Sequence, residues 1–256
     1  MYRYHRLDDA LRIALHRIKM EIERVQARQP DFSAFSVVTD IDATLYTEID
    51  MNGRSTLPWL PEQAGETSSV QQFTEESVFV TRLGVIALLH KLIDIVDMFF
   101  ITARADGCVD VKDAANAARD TQDELQQVAR FNVTNGGMYN SEGRQHLFMY
   151  PGKHPKNGTA AREDNDCFWA FKEFYRRVVR QMSHLLLAVG DRCWDAMSLE
   201  VAQAICGALS TDEEVYTIDD LDASTDTFVC FEKRNGKLTV GIKLPDFDES
   251  ALLSGT

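Results

Sequence analysis

Two aspartates two positions apart close an apolar run in SVVTDIDATLY (residues 36–46): Asp40 and Asp42, with Thr44 two positions further on. On an edge strand such charges would be a solvated face. At the end of a buried strand they stand where the chain opens into a loop. Two later apolar runs end in a similar way. DMFFIT leads into Thr102, Ala103 and Arg104, and HLLLAVGD ends in Asp191 with Asp195 four residues further. If these strands are neighbours, three acidic positions and a hydroxyl converge. Crowded carboxylates repel unless a cation compensates them. Hard oxygen donors of this kind suit Mg²⁺, which keeps several waters and takes only one or two carboxylates. A remaining carboxylate can then act as a nucleophile. The set suits phosphoryl transfer through an aspartyl-phosphate.

Each piece alone has a plainer reading. DxDxT can be a capped turn, ITAR a structural strand end, and GDRCWD a glycine turn with an Asp helix cap. Their order at successive strand ends carries the functional expectation, because ligands of open α/β sheets gather outside the carboxyl ends of the strands.

The rest of the chain has to supply those strands. Leu11, Ile13, Leu15, Ile18, Ile22 and Val25 recur at helical spacing and predict an amphipathic helix over 7–27, ending before Pro30 and packed on the domain. FSVVTDI reads as a buried strand. The stretch after it carries the hairpin signal Asn52-Gly53, and residues 61–77 read as a polar loop. VTRLGVIALLHKLIDIV reads as a helix, DMFFIT as a second strand and 109–128 as a polar helix. RFNVTN reads as a third strand and NGGMYNSEGRQHLFMY as a turn and hairpin. After a loop with Pro151, Pro155 and Gly158 come the helix CFWAFKEFYRRVVRQM, the fourth strand HLLLAVGD and the helix AMSLEVAQAICGAL. TFVCFEKRNGKLTVGIKL closes as a hairpin around Asn235-Gly236. Apolar strands alternating with helices predict an α/β domain with a mainly parallel sheet covered on both faces.

The 256 residues are 45% hydrophobic and 26% charged, ordinary for a globular protein, with net charge −13. That charge argues against a sequence-independent grip on nucleic acid, though not against a small anionic substrate held by a few cations. The five cysteines, Cys108, Cys167, Cys193, Cys206 and Cys230, never fall in a CxxC spacing and read as free thiols in a reducing compartment. No run approaches a membrane span and the N-terminus has no uninterrupted apolar core, so the expectation is a soluble, cytoplasmic protein without a signal peptide.

On DIDATL, ITAR and GDRCWD the sequence resembles the haloacid dehalogenase (HAD) superfamily of phosphohydrolases. The motifs stand in the expected order between Asp40 and Asp195; the N-terminal helix and C-terminal hairpin lie outside them. The resemblance implies a HAD-like Rossmannoid three-layer fold and a phosphatase dependent on Mg²⁺. Asp40 would be the nucleophile and Asp42 the general acid/base. Asp40, the backbone carbonyl of Asp42 and Asp191 would hold the metal, with Asp195 orienting its waters or the family's lysine. Thr102 would hydrogen-bond the phosphoryl group, with Thr44, Ala103 and Arg104 on the substrate side. For Arg104 a structural ion pair is the equal alternative.

The same resemblance requires a lysine before the fourth strand. Lys172 stands 19 positions ahead of Asp191 and fits the family's spacing best; Lys153 and Lys156 in PGKHPKNG are the alternatives. Two departures stand out: Ala43 occupies a place where many relatives carry glycine, and Trp194 leaves Asp195 alone in the last motif. Residues 1–30 would form the packed N-terminal helix and 31–256 the catalytic domain, with a small flap at about 46–77 and no large cap. The helix before the first motif and the small flap resemble the acid-phosphatase-like branch. The expected substrate is a small phosphorylated metabolite or nucleotide. A phosphotransferase with the same chemistry and a non-catalytic binding protein are the competing expectations.

Overall fold

Runs rich in β-branched and aromatic residues become strands, and the amphipathic runs between them become helices that cover those strands. The computed structural model describes residues 2–4, 7–49, 68–72, 78–105, 111–135, 144–150, 168–190, 227–234 and 237–243. In chain order the elements are β1 (Tyr2–Tyr4), α1 (Leu7–Arg28), β2 (Phe35–Thr39), β3 (Tyr46–Ile49), β4 (Ser68–Gln72), β5 (Val78–Arg82), α2 (Leu83–His90) and β6 (Asp97–Ala105). Then come α3 (Val111–Ala129), β7 (Thr134–Asn135), β8 (Gln145–Tyr150), α4 (Phe168–Met182), β9 (His184–Gly190), β10 (Thr227–Arg234) and β11 (Lys237–Lys243).

The main sheet has the order β1-β11-β10-β9-β2-β6-β8-β7. From β10 across to β7 every pairing is parallel, while β11 and β1 add an antiparallel edge. Because successive side chains on a strand face opposite ways, the sheet is buried on both sides. Val37, Met98, Phe100, Leu147 and Met149 join one core with Leu11 and Ile18 of α1, Val85 and Leu89 of α2, and Leu125 and Val128 of α3. Val38, Phe99, Ile101 and Phe148 face the other way, onto Val179 of α4, with Phe171 and Tyr175 packed against them. This is a mixed α/β fold with a mainly parallel central sheet. β2 lies inside it, hydrogen-bonded to β9 on one side and β6 on the other, so Asp40 emerges near its middle.

Several local expectations need correction. The third strand beside β6 is QHLFMY, not RFNVTN: β8 pairs with β6, and only Thr134–Asn135 of the earlier run forms a short parallel edge strand. Of the turn and hairpin expected over NGGMYNSEGRQHLFMY, residues 136–143 lie outside the described residues, and β8 pairs parallel with both β6 and β7. The helix expected from Val80 begins at Leu83, because residues 78–82 are strand. The polar loop over 61–77 contains β4, which pairs antiparallel with β5 in a separate three-stranded sheet of order β3-β5-β4. The strands of that small sheet fall between Tyr46 and Arg82. The Asn52-Gly53 turn and the helix over 196–209 lie outside the described residues. No helix among the described residues is long and apolar enough to cross a membrane.

Candidate functional site

The site is built on the turn that follows β2. The Asp40 N–H donates to the Val189 carbonyl at 3.0 Å, fixing the end of β2 against β9. The chain then reverses: Leu45 N–H donates to the Ile41 carbonyl at 2.8 Å, and Ala43 N–H to the Tyr46 carbonyl at 2.9 Å. Closing so tight a turn puts Ala43 in the left-handed region, at φ 57°. Arg82, fully buried where the small sheet meets α2, braces this turn. Its Nε donates to the Ala43 carbonyl at 2.7 Å and its backbone N–H to the Leu45 carbonyl at 2.8 Å.

Asp40 and Asp42 leave this turn into different surroundings. Asp40 is buried. Its Oδ1 lies 2.9 Å from Nζ of Lys172, the two side chains being 7% and 5% exposed, and Thr44 Oγ1 donates to its Oδ2 at 3.5 Å. Asp42 is 40% exposed and meets a guanidinium. Arg104 Nη2 donates to Asp42 Oδ1 at 2.6 Å, and Arg104 Nε lies 2.9 Å from Oδ2. The other edge of that guanidinium is held by α3: Nη1 donates to Glu124 Oε2 at 2.5 Å and approaches Thr121 Oγ1 at 3.5 Å. Tyr46 completes the group, its hydroxyl donating to Glu124 Oε2 at 3.2 Å and its ring lying 5.7 Å from the Arg104 guanidinium carbon.

These contacts separate the two carboxyls that flank Arg104. Burial opposes charge on Asp42, yet the Arg104 charge and hydrogen bonds outweigh it, with help from Lys172 and Thr102, and its carboxyl lies below the ordinary range. Glu124 goes the other way. Burial lifts it above the ordinary glutamate value despite the same arginine. Burial also raises the Tyr46 hydroxyl well above its ordinary value, so it remains a donor.

Of the three lysines weighed from sequence, Lys172 is the one brought to Asp40; Lys153 and Lys156 lie outside the described residues. Thr102 is buried on β6, where its Oγ1 accepts from the Arg104 N–H at 3.2 Å. Ala103 is half-buried beside it. Arg104 forms the ion pair, with Asp42 and Glu124 as partners. Asp191 and Asp195, with Cys193 and Trp194, lie outside the described residues. The described residues contain no group of three or more His, Cys, Asp or Glu able to hold a metal. The oxygen donors they do contribute, the Asp40 carboxylate and the Asp42 carbonyl, are of the hard type that fits Mg²⁺.

Three residues of the site have no motif: Tyr46, Arg82 and Glu124. Glu124 had one visible signal, an acid next to Leu125 on the stripe of α3 that carries the buried Ala118, Thr121, Leu125 and Val128. Arg82 had none, since an arginine at a strand–helix junction ordinarily faces water. Comparison of the chain with protein-family models, with curated proteins and with solved structures finds no match in any of the three.

Proposed function

We propose that the chain is a Mg²⁺-dependent phosphatase of HAD type that hydrolyses a small phosphate monoester through an aspartyl-phosphate on Asp40. The observation that carries this reading is the buried Lys172–Asp40 pair at the carboxyl end of a central parallel strand, 2.9 Å between Nζ and Oδ1. A carboxylate used as a nucleophile toward a phosphate dianion needs nearby positive charge, and Lys172 supplies it. The mainly parallel sheet, covered on both faces, is compatible with the Rossmannoid three-layer core the reading requires.

Asp40 attacks phosphorus through a carboxylate oxygen, and the bond to the leaving oxygen breaks. Asp42, protonated once a phosphate dianion beside it offsets the pull of Arg104, delivers that proton to the leaving oxygen. In the second half Asp42 accepts a proton from water, which attacks phosphorus and frees Asp40 and inorganic phosphate. Thr102 on β6, whose hydroxyl reaches Asp42 in the free protein, would turn it to a phosphoryl oxygen. Asp40 and the Asp42 carbonyl, with Asp191, would hold the cation, which when bound offsets charge on the phosphoryl group.

The test is phosphate release from an aryl phosphate with and without Mg²⁺, repeated with Asp40→Asn. Turnover that needs Mg²⁺ and falls by at least 10³-fold in the variant is the expected result, the scale of loss known for covalent nucleophiles. Retained turnover in a folded Asp40→Asn protein overturns the mechanism, and an inactive wild type across a phosphoester panel overturns the function.

A further inference from the structure

Arg104 is gripped on two sides among the described residues. Nε and Nη2 are engaged by Asp42, and Nη1 by Glu124 and Thr121. The Tyr46 ring lies within cation–π distance of the guanidinium, and the Tyr46 hydroxyl is bonded to the same Glu124 oxygen that receives Nη1. A guanidinium gripped at two edges and approached by a ring has little freedom to turn toward an incoming phosphate. What it can do is fix the plane and rotamer of the carboxylate it grips.

We infer that Glu124, on α3, is a positioning residue for Asp42: it anchors Arg104, and Arg104 with Tyr46 holds the Asp42 carboxylate in one orientation two residues from Asp40. This rests on the phosphatase reading of Asp40 and Asp42. The chemistry asks for such a hold. A proton donor that must reach a leaving oxygen and then a water on the same line loses rate steeply with small displacements. Asp42 itself sits on a turn and is 40% exposed, so its neighbours have to supply the rigidity. Glu124 reaches it from 82 positions along the chain, on a helix that packs against both β5 of the small sheet and β7 of the main sheet.

A double-mutant cycle on turnover reads this directly. Glu124→Gln keeps the shape and removes the charge that anchors Arg104; the expected result is a fall in kcat of about tenfold with KM changed less than twofold. In an Asp42→Asn background the same substitution should cost nothing further, because there is no longer an acid/base to position. Glu124→Asp, a carboxylate on a shorter stem, should recover part of the loss, and thermal melts of all variants separate misfolding from misplacement. Independent losses that multiply, an effect on KM instead of kcat, or a Glu124→Gln enzyme as fast as wild type each overturn the inference. If those outcomes come with an Asp40→Asn protein that is dead, the phosphatase reading stands and only the positioning role falls. If Asp40→Asn stays active, both fall.

Discussion

Ala43 carries the sharpest local conflict between residue and backbone. Its φ of 57° is left-handed, where a Cβ costs roughly 1–2 kcal/mol, and yet it stands at the hinge between Asp40 and Thr44. Arg82 holds the strained peptide in place through the Ala43 carbonyl, and the 2.9 Å bond to Tyr46 closes the turn. Glycine would relieve the strain but add freedom to the unfolded chain, so Ala43→Gly should stabilise by less than about 1 kcal/mol. A urea midpoint measures this; a lower midpoint would mean that the methyl group, 1% exposed, contributes more by packing than it costs in strain. At this scale the sequence was partly legible. Asp40 and Asp42 announce themselves because charges at the end of an apolar run have few structural uses. Which anion Arg104 meets was not legible, since one arginine can serve a phosphate or a carboxylate equally well. Glu124 decides between them, and it is remote in sequence.

α4 is the element that makes Asp40 more than a buried acid. Its apolar side, Phe171, Tyr175 and Val179, seats it on the β6–β8 face, and that seating carries Lys172 to the Asp40 carboxylate. Removing one partner of a buried ion pair is far worse than removing both. Lys172→Met should therefore destabilise by about 3 kcal/mol, and combining it with Asp40→Asn should recover much of that. Equilibrium urea unfolding of the three proteins checks it; additive effects would show that the two groups do not act as a pair. Helical spacing made α4 and α1 easy to read, because both have a continuous apolar stripe. The strands beside β6 were harder. Asn135-Gly136-Gly137 at the end of RFNVTN signals a local turn, but pairing is decided by burial, and QHLFMY has five of its six positions buried. The start of α2 was hidden for a related reason: VFVTR and LGVIALL form one apolar run, with only β-branching to mark the change from strand to helix.

Across the whole molecule, the two ends of the described chain pair with one another and form one edge of the sheet. β1 pairs with β11, and α1 packs on β9, β10 and β11, so an N-terminal helix covers strands contributed far later. Leu11, Ala14 and Ile18 belong to the core that lies under α2 and α3 as well, which couples that helix to the face of the sheet beneath Asp40. Polar contacts reinforce the apolar ones at the other end of the strands: Glu21 Oε1 lies 2.9 Å from His184 Nε2, across 163 positions, and its carboxylate also meets Arg24. The bond from Arg24 outweighs the cost of partial burial and, with His184, draws the Glu21 carboxyl below its ordinary value. For a carboxyl lowered on folding, the stabilisation is complete above the unfolded value, about 4.3, and is lost as pH falls through the lower folded value. Wild type should consequently lose more stability between pH 6 and pH 3 than Glu21→Gln does, the two curves converging at the acid end. Urea midpoints across that range provide the comparison. Parallel curves would leave α1 held by its apolar face, Leu11, Ala14 and Ile18 foremost, with the bond to His184 adding nothing to the joint between the first helix and β9, the fifth of the parallel strands in chain order.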